Sequence, residues 1–256
     1  MLTRREAVLG GLLTIVWGSS NCACEERPRR VRSRTGCALG PDEAEQFLAT
    51  ATAQQTFATG NETIIASSGN RDFDYALAHT LSRLTDTFGV LPGFAYFDDY
   101  DGENAYATDV RRLARSDGSV LFGKRMFLSY LDQPEHPEVS VAAICAHEFA
   151  HILQFKLNID RRLDAGQRTV KRKELHADFL AGYFAGVRKR ERPEFPAAVF
   201  AATKFAIGDH EIHDRDHHGT PDERAAAVVR GFETSHRDRR NLNDAVQIGL
   251  NYVSRL

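Results

Sequence analysis

The run VAAICAHEFAHILQ, residues 141–154, constrains this chain more than any other stretch. It lacks glycine and proline and is built mainly from alanine and large apolar residues, so it reads as a helix. Within it stand His147, Glu148 and His151. At 3.6 residues per turn, positions 147 and 151 share one face about 6 Å apart along the axis, with Glu148 beside them. That geometry suits a metal ion. The plain alternative is an amphipathic helix whose polar residues face water. A random chain with this content of His and Glu holds H-E-x-x-H with a probability of roughly 2%, so the pattern needs support from elsewhere in the sequence.

Composition bounds the rest. Of 256 residues, 42% are hydrophobic and 27% charged, which allows a sizeable core and is unlike a disordered or fibrous chain. Lys and Arg total 33 against 35 Asp and Glu, a net charge of -2, so electrostatics give no reason for a nucleic-acid partner. Residues 1–24 have a basic start at Arg4 and Arg5, an apolar run from Ala7 to Trp17, and then small residues. The run is too short to span a bilayer and suits the core of an export signal. Arg4-Arg5 followed by EAVLGG is similar to a twin-arginine signal, although arginine pairs recur along the chain; the expected location is periplasmic or extracellular. Cys22 and Cys24 leave lipoprotein anchoring as an alternative, for which SSNC is a poor match. Residues 25–40 read as a charged linker, EERPRRVRSRTG lacking any apolar period. Cys37 and Cys145 can pair in an oxidising compartment; otherwise Cys145 is a small buried hydrophobe in its helix.

The folded domain is expected over residues 41–256. DEAEQFLATATAQQTF and DFDYALAHTLSRLTDTF read as amphipathic helices, the second with Phe73, Leu77, Leu81, Leu84 and Phe88 on one stripe and a stop at Gly89. FAYF, NAYAT and SVLFG are short extended runs between turn signals, which predicts a small sheet. Further helices are expected at about 138–157, 172–189, 196–207, 221–233 and 243–254. One α+β domain dominated by helices is the fold class.

A catalytic zinc takes three protein ligands and leaves one position for water. His147 and His151 supply two ligands, and Glu148 is placed to accept a proton from the water. The metzincin pattern fails, because Gln154 and Leu157 stand where it needs Gly and His. KELHADFLAGYFAG instead offers Glu174 and Asp178 at i and i+4 on one helix face, 23 residues after His151. A helix packed antiparallel to the H-E-x-x-H helix can carry a carboxylate to the open metal face.

HEFAHILQ followed by ELHADFLAGYF resembles the gluzincin zinc metallopeptidases, in particular the small bacterial predicted neutral zinc metallopeptidases with E-x-x-A-D-x-x-A-G after H-E-x-x-H. NAYAT and DGSVLFGKRMF are similar to the strand and following helix beside the cleft in such enzymes, and HGTPDER with Gly231 and Phe232 to a C-terminal motif. The resemblance spans most of residues 90–235. It implies a zincin-like domain with the sheet beside the active-site helix and one Zn2+ per chain. Glu174 would then be the third ligand, and Asp178 would orient a ligand histidine through its free ring N–H. Ala150 and Ile152 depart from many relatives at positions that do not ligate metal. With no run of 18 or more apolar residues, the chain also differs from the integral-membrane gluzincins.

His176 lies about 200° around its helix from Glu174 and reads as a surface or packing residue. His210, His213, His217 and His218 crowd GDHEIHDRDHHG, which is either a polar rim or a second metal site. Thr220, Pro221 and Glu223 signal a helix start, placing His218 at its positive end. There a neutral imidazole can donate to a developing oxyanion, a structural role being the alternative. Tyr183 is the fallback donor. The function read from the sequence is a zinc metalloendopeptidase hydrolysing peptide or protein substrates, with Glu148 and His218 catalytic, and substrate paired along the exposed edge of 104–108. The alternatives are a non-catalytic zinc-binding assembly or binding protein whose site closes with a fourth ligand, and a hydrolase of other amides. For export, replacing Arg4 and Arg5 together with lysine is expected to strand precursor in the cytoplasm on fractionation; unchanged export would eliminate the twin-arginine route.

Overall fold

In the computed structural model the described residues are 38–39, 71–97, 99, 102–111 and 114–256, with 38–39 and 71–74 described as backbone only. The expected export signal, the helix over DEAEQFLATATAQQTF, Cys37 and the side chain of Phe73 lie outside this description. The elements run in the order β1 (Ala38–Leu39), α1 (Arg71–Phe88), β2 (Gly93–Phe97), β3 (Ala105–Thr108), β4 (Ser119–Gly123), α2 (Lys124–Leu131), α3 (Pro137–Lys156), α4 (Asp160–Asp164), α5 (Lys171–Glu191), α6 (Ala198–Ala206), α7 (Pro221–His236) and α8 (Leu242–Val253). The domain is mostly helical with one small sheet, as the alternating periods of the sequence predict.

Local chemistry accounts for the boundaries. The stripe of α1 is buried at Leu77, Leu81, Leu84 and Phe88, and the helix stops at Gly89, whose φ of 61° lets its N–H close on the Thr85 carbonyl at 2.8 Å. Pro137 opens α3 at its first turn. Thr220 and Glu223 form a reciprocal capping box at α7, with bonds of 3.3 and 3.0 Å. Asn241 caps α8 by accepting from the Asp244 N–H at 2.9 Å.

The sheet has the order β1-β3-β4-β2, with β3 antiparallel to β4 and the outer two strands parallel to their neighbours. Two expectations are corrected here. Ala38 and Leu39, read as the end of the linker, form β1 and pair with Ala107 and Thr108. Consequently β3 is not an exposed edge along that stretch, and all four of its residues are buried. Unpaired N–H and C=O groups on a strand edge attract whatever backbone can reach them, and here the chain's own residues do so.

α3 packs against β3 and β4, and also against α5. Every residue from Val139 to Gln154 on α3 is buried, as is every residue from Lys173 to Gly186 on α5, the pattern of helices enclosed on all sides. Cys145 is a free, buried thiol within α3. Among the described residues, no helix is long and apolar enough to cross a membrane.

Against its other side α5 receives α7 at backbone distance. A methyl group at Gly182 would overlap the Val228 carbonyl, and one at Gly231 would overlap the Phe179 carbonyl. Gly231→Ala is therefore expected to destabilise the domain by about 3 kcal/mol, because the clash is with main chain. Val229→Ala, on the exposed face of the same helix, should change stability by less than about 0.5 kcal/mol. Denaturant midpoints at constant slope check both.

Candidate metal centre

Contacts between α3 and α5 run in opposite sequence directions: His147 meets Asp178, His151 meets Glu174, and Gln154 meets Lys173. The helices are thus antiparallel, and they bring His147, His151 and Glu174 together, all at 0% exposure. His147 Nε2 lies 3.0 Å from Glu174 Oε2 and 3.1 Å from His151 Nε2, and His151 Nε2 is 3.5 Å from Glu174 Oε2. Ligand atoms bonded at about 2.0 to 2.1 Å in tetrahedral directions are about 3.3 Å apart. The three edges bracket that value. Among the described residues this is the group that can hold a metal ion.

Proton positions strengthen the geometric argument. His147 Nδ1–H donates to Asp178 Oδ1 at 2.7 Å, because a carboxylate only accepts. The Gln154 amide nitrogen donates to the Lys173 carbonyl at 3.0 Å, so its oxygen faces His151 and accepts from Nδ1–H at 2.9 Å. In the neutral form of each ring Nε2 therefore carries a lone pair, turned toward the other ring and toward a carboxylate oxygen; Glu174 raises the pKa of His151 against the effect of burial. A cation between them satisfies all three.

Charge is arranged around the centre in layers. Arg224 donates to Asp178 through Nε at 2.7 Å and Nη2 at 3.1 Å, and Lys204 Nζ lies 3.6 Å from the same carboxylate. Burial alone would raise the Asp178 carboxyl, but Arg224, then Lys204 and His147, hold it far below the carboxylate range. Burial and the Lys204 charge push His147 down to about 4, which favours the neutral ring a metal requires. Glu174 is likewise held well below its ordinary value: burial is outweighed by the imidazoles of His151, His218 and His147 close to it.

Glu148 is 1% exposed, and its Oε2 has no hydrogen-bond partner among the described residues. Burial pushes its carboxyl up to about 8. These facts overturn the alternative of a helix face turned to water. His218 is half-buried and lies within electrostatic reach of Glu174; burial lowers its pKa, leaving the neutral form expected at a helix start. His217 turns elsewhere, its Nδ1 donating to Asp209, which also accepts the His218 backbone N–H at 3.1 Å. Neither His217 nor His218 belongs to the metal-holding group, and no second such group occurs among the described residues. His210 and His213 lie on the exposed loop surface.

Three readings from sequence change. His176 is fully buried, and the surface option falls. The Tyr183 hydroxyl donates to the Arg240 carbonyl at 3.0 Å, so its proton is committed away from any oxyanion role. Gln154, read only as a departure from the metzincin pattern, holds His151. Lys204 was also missed, although one cation in the apolar helix AVFAATKFA is a signal that it is paired inside.

No protein-family model matches this chain, and no curated protein or solved structure matches it significantly either. The resemblance read from the motifs rests on those residues alone, and the geometry carries the functional argument.

Asp178→Ala removes the counter-charge of buried Arg224 and Lys204 and frees His147. It is expected to cost about 3 to 5 kcal/mol in the metal-free protein and to weaken metal binding about 10- to 100-fold. A carboxyl with a depressed folded pKa stabilises fully above its unfolded value of about 3.9 and loses that contribution as pH falls below it. The variant should accordingly show a shallower acid slope than wild type in denaturation series below about pH 4.

Proposed function

We propose that this chain is a zinc-dependent metallopeptidase of zincin-like architecture. The observation that carries the proposal is the triangle of lone-pair atoms from His147, His151 and Glu174 at tetrahedral spacing, with the unpaired carboxylate of Glu148 beside it. Two imidazoles and one carboxylate are a donor set suited to zinc, and three protein ligands leave a position open. A bound zinc ion supplies Lewis acidity and lowers the pKa of a water held there.

The chain's own residues do the rest. Glu148, in its ionised form, accepts the proton of the attacking water and passes it to the leaving amine; the rise in its pKa on burial makes that carboxylate a stronger base. His218, neutral at the start of α7, donates to the oxyanion that develops on the carbonyl. Asp178, fixed by Arg224 and Lys204, keeps His147 protonated on Nδ1 and directed inward. The choice of a peptide over another amide follows the motif resemblance. A structural zinc protein would close its site with a fourth ligand, whereas three converge among the described residues.

Metal analysis of purified protein, coupled to a peptide-cleavage assay, tests this reading. One zinc per chain and chelator-sensitive cleavage are expected. Glu174→Ala should lose most of the metal, and Glu148→Gln should keep the metal and lose hydrolysis by orders of magnitude. Full zinc occupancy in Glu174→Ala would reject the ligand set, and wild-type turnover in Glu148→Gln would reject the mechanism.

A further inference from the structure

His151 is held by a succession of hydrogen bonds that contains no charged group. Its Nδ1–H donates to Gln154 Oε1 at 2.9 Å. The Gln154 amide nitrogen has two hydrogens, one donated to the Lys173 carbonyl at 3.0 Å and the other to His176 Nδ1 at 3.1 Å. His176 Nε2–H then donates to the Val246 carbonyl of α8 at 3.2 Å. All three side chains are fully buried, so water does not substitute for any partner.

The direction of this relay decides what His151 can do. An amide is nearly symmetrical in shape, and a flipped Gln154 would present N–H to His151 Nδ1. His151 would then carry its proton on Nε2, the atom facing His147 and Glu174, and could not ligate a metal in that state. Two acceptors prevent the flip: the Lys173 carbonyl and the lone pair of His176 Nδ1. That second lone pair exists because the single N–H of the neutral ring is on Nε2, where it donates to the Val246 carbonyl. α8 reaches the ring because residue 249 is glycine; a Cβ there would lie 3.0 Å from His176 Cδ2, 3.1 Å from its Nε2 and 2.9 Å from Phe179 Cδ1.

We propose that Gln154 and His176 are positioning residues that fix His151 in the tautomer able to bind the metal, with the backbone of α8 setting the direction of the relay. This rests on the metal reading given above. It departs from the sequence reading, in which His176 had no part in the site.

The test uses Gln154→Leu, His176→Leu and His176→Gln in the full chain, each checked for cooperative thermal unfolding. Leucine keeps apolar bulk and removes the polar contact. Glutamine at 176 restores an acceptor toward Gln154 and a donor toward Val246. In zinc titrations against a competing chelator, Gln154→Leu is expected to lose about 10- to 100-fold in affinity and His176→Leu about 10-fold, with His176→Gln recovering most of that loss. Nitrogen-15 NMR of the metal-free protein at alkaline pH reads the tautomer directly. Wild type should show His151 protonated on Nδ1, and the leucine variants should shift toward Nε2–H. An unchanged tautomer in both leucine variants overturns the proposal, as does a His176→Gln affinity no better than that of His176→Leu. If wild type takes up no zinc, the metal reading fails and the tautomer alone decides the positioning role. Should His176→Leu not fold, Gln154→Leu and His176→Gln decide it.

Discussion

A helix enclosed on every side can carry a polar group only if that group is answered locally, since no water is at hand to solvate it. α3 and α5 both meet this condition, and they meet it with each other. His147, His151 and Gln154 on one helix find Asp178, Glu174, Lys173 and His176 on the other. The antiparallel register of the pair is therefore fixed twice, by apolar packing and by the matching of donors to acceptors. A shift of one turn would leave several buried groups unpaired, each at a cost of about 1 to 3 kcal/mol.

The two histidines of the candidate metal centre are held by different physics. His147 leans on an ionic cluster, with Asp178 between Arg224 of α7 and Lys204 of α6. His151 leans on a neutral chain that ends in the backbone of α8. Three helices that contribute none of His147, His151 and Glu174 thus reach the site through a second layer of contacts. Rigidity of this kind lowers the reorganisation needed for metal binding and for charge development in a reaction. What remains unanswered inside the core is Oε2 of Glu148. Under the proposed function, an orphaned buried carboxylate oxygen near three atoms able to ligate a metal is a group kept for chemistry rather than stability.

Much of this was legible in the sequence. The helix over 141–154, the carboxylate helix, the capping box at Thr220 and the three short strands follow from local periods and turn chemistry, and their observed bounds differ from the expected ones by a few residues at most. The five-residue α4 was not anticipated, since so short a turn has no period to read. Nor was β1, whose two residues become a strand only because β3 offers them hydrogen-bonding groups. His176 illustrates the limit most clearly. Helical rotation correctly turned it away from Glu174, but what lies on that other side is α8, some 70 residues further along the chain.

The sequence by itself determined which residues can ligate: spacing of i to i+4 on a helix fixes His147 and His151 on one face whatever surrounds them. It also determined that Glu174 and Asp178 share a face. Tertiary structure alone decided that these faces meet, that Arg224 and Lys204 converge on Asp178, and that Gln154 and His176 order the protons of His151. The reason is the range of the forces involved. Periodicity and capping act within a few residues and can be read from them, whereas the burial of a charge or the direction of an amide is set by whichever distant segment packs against it.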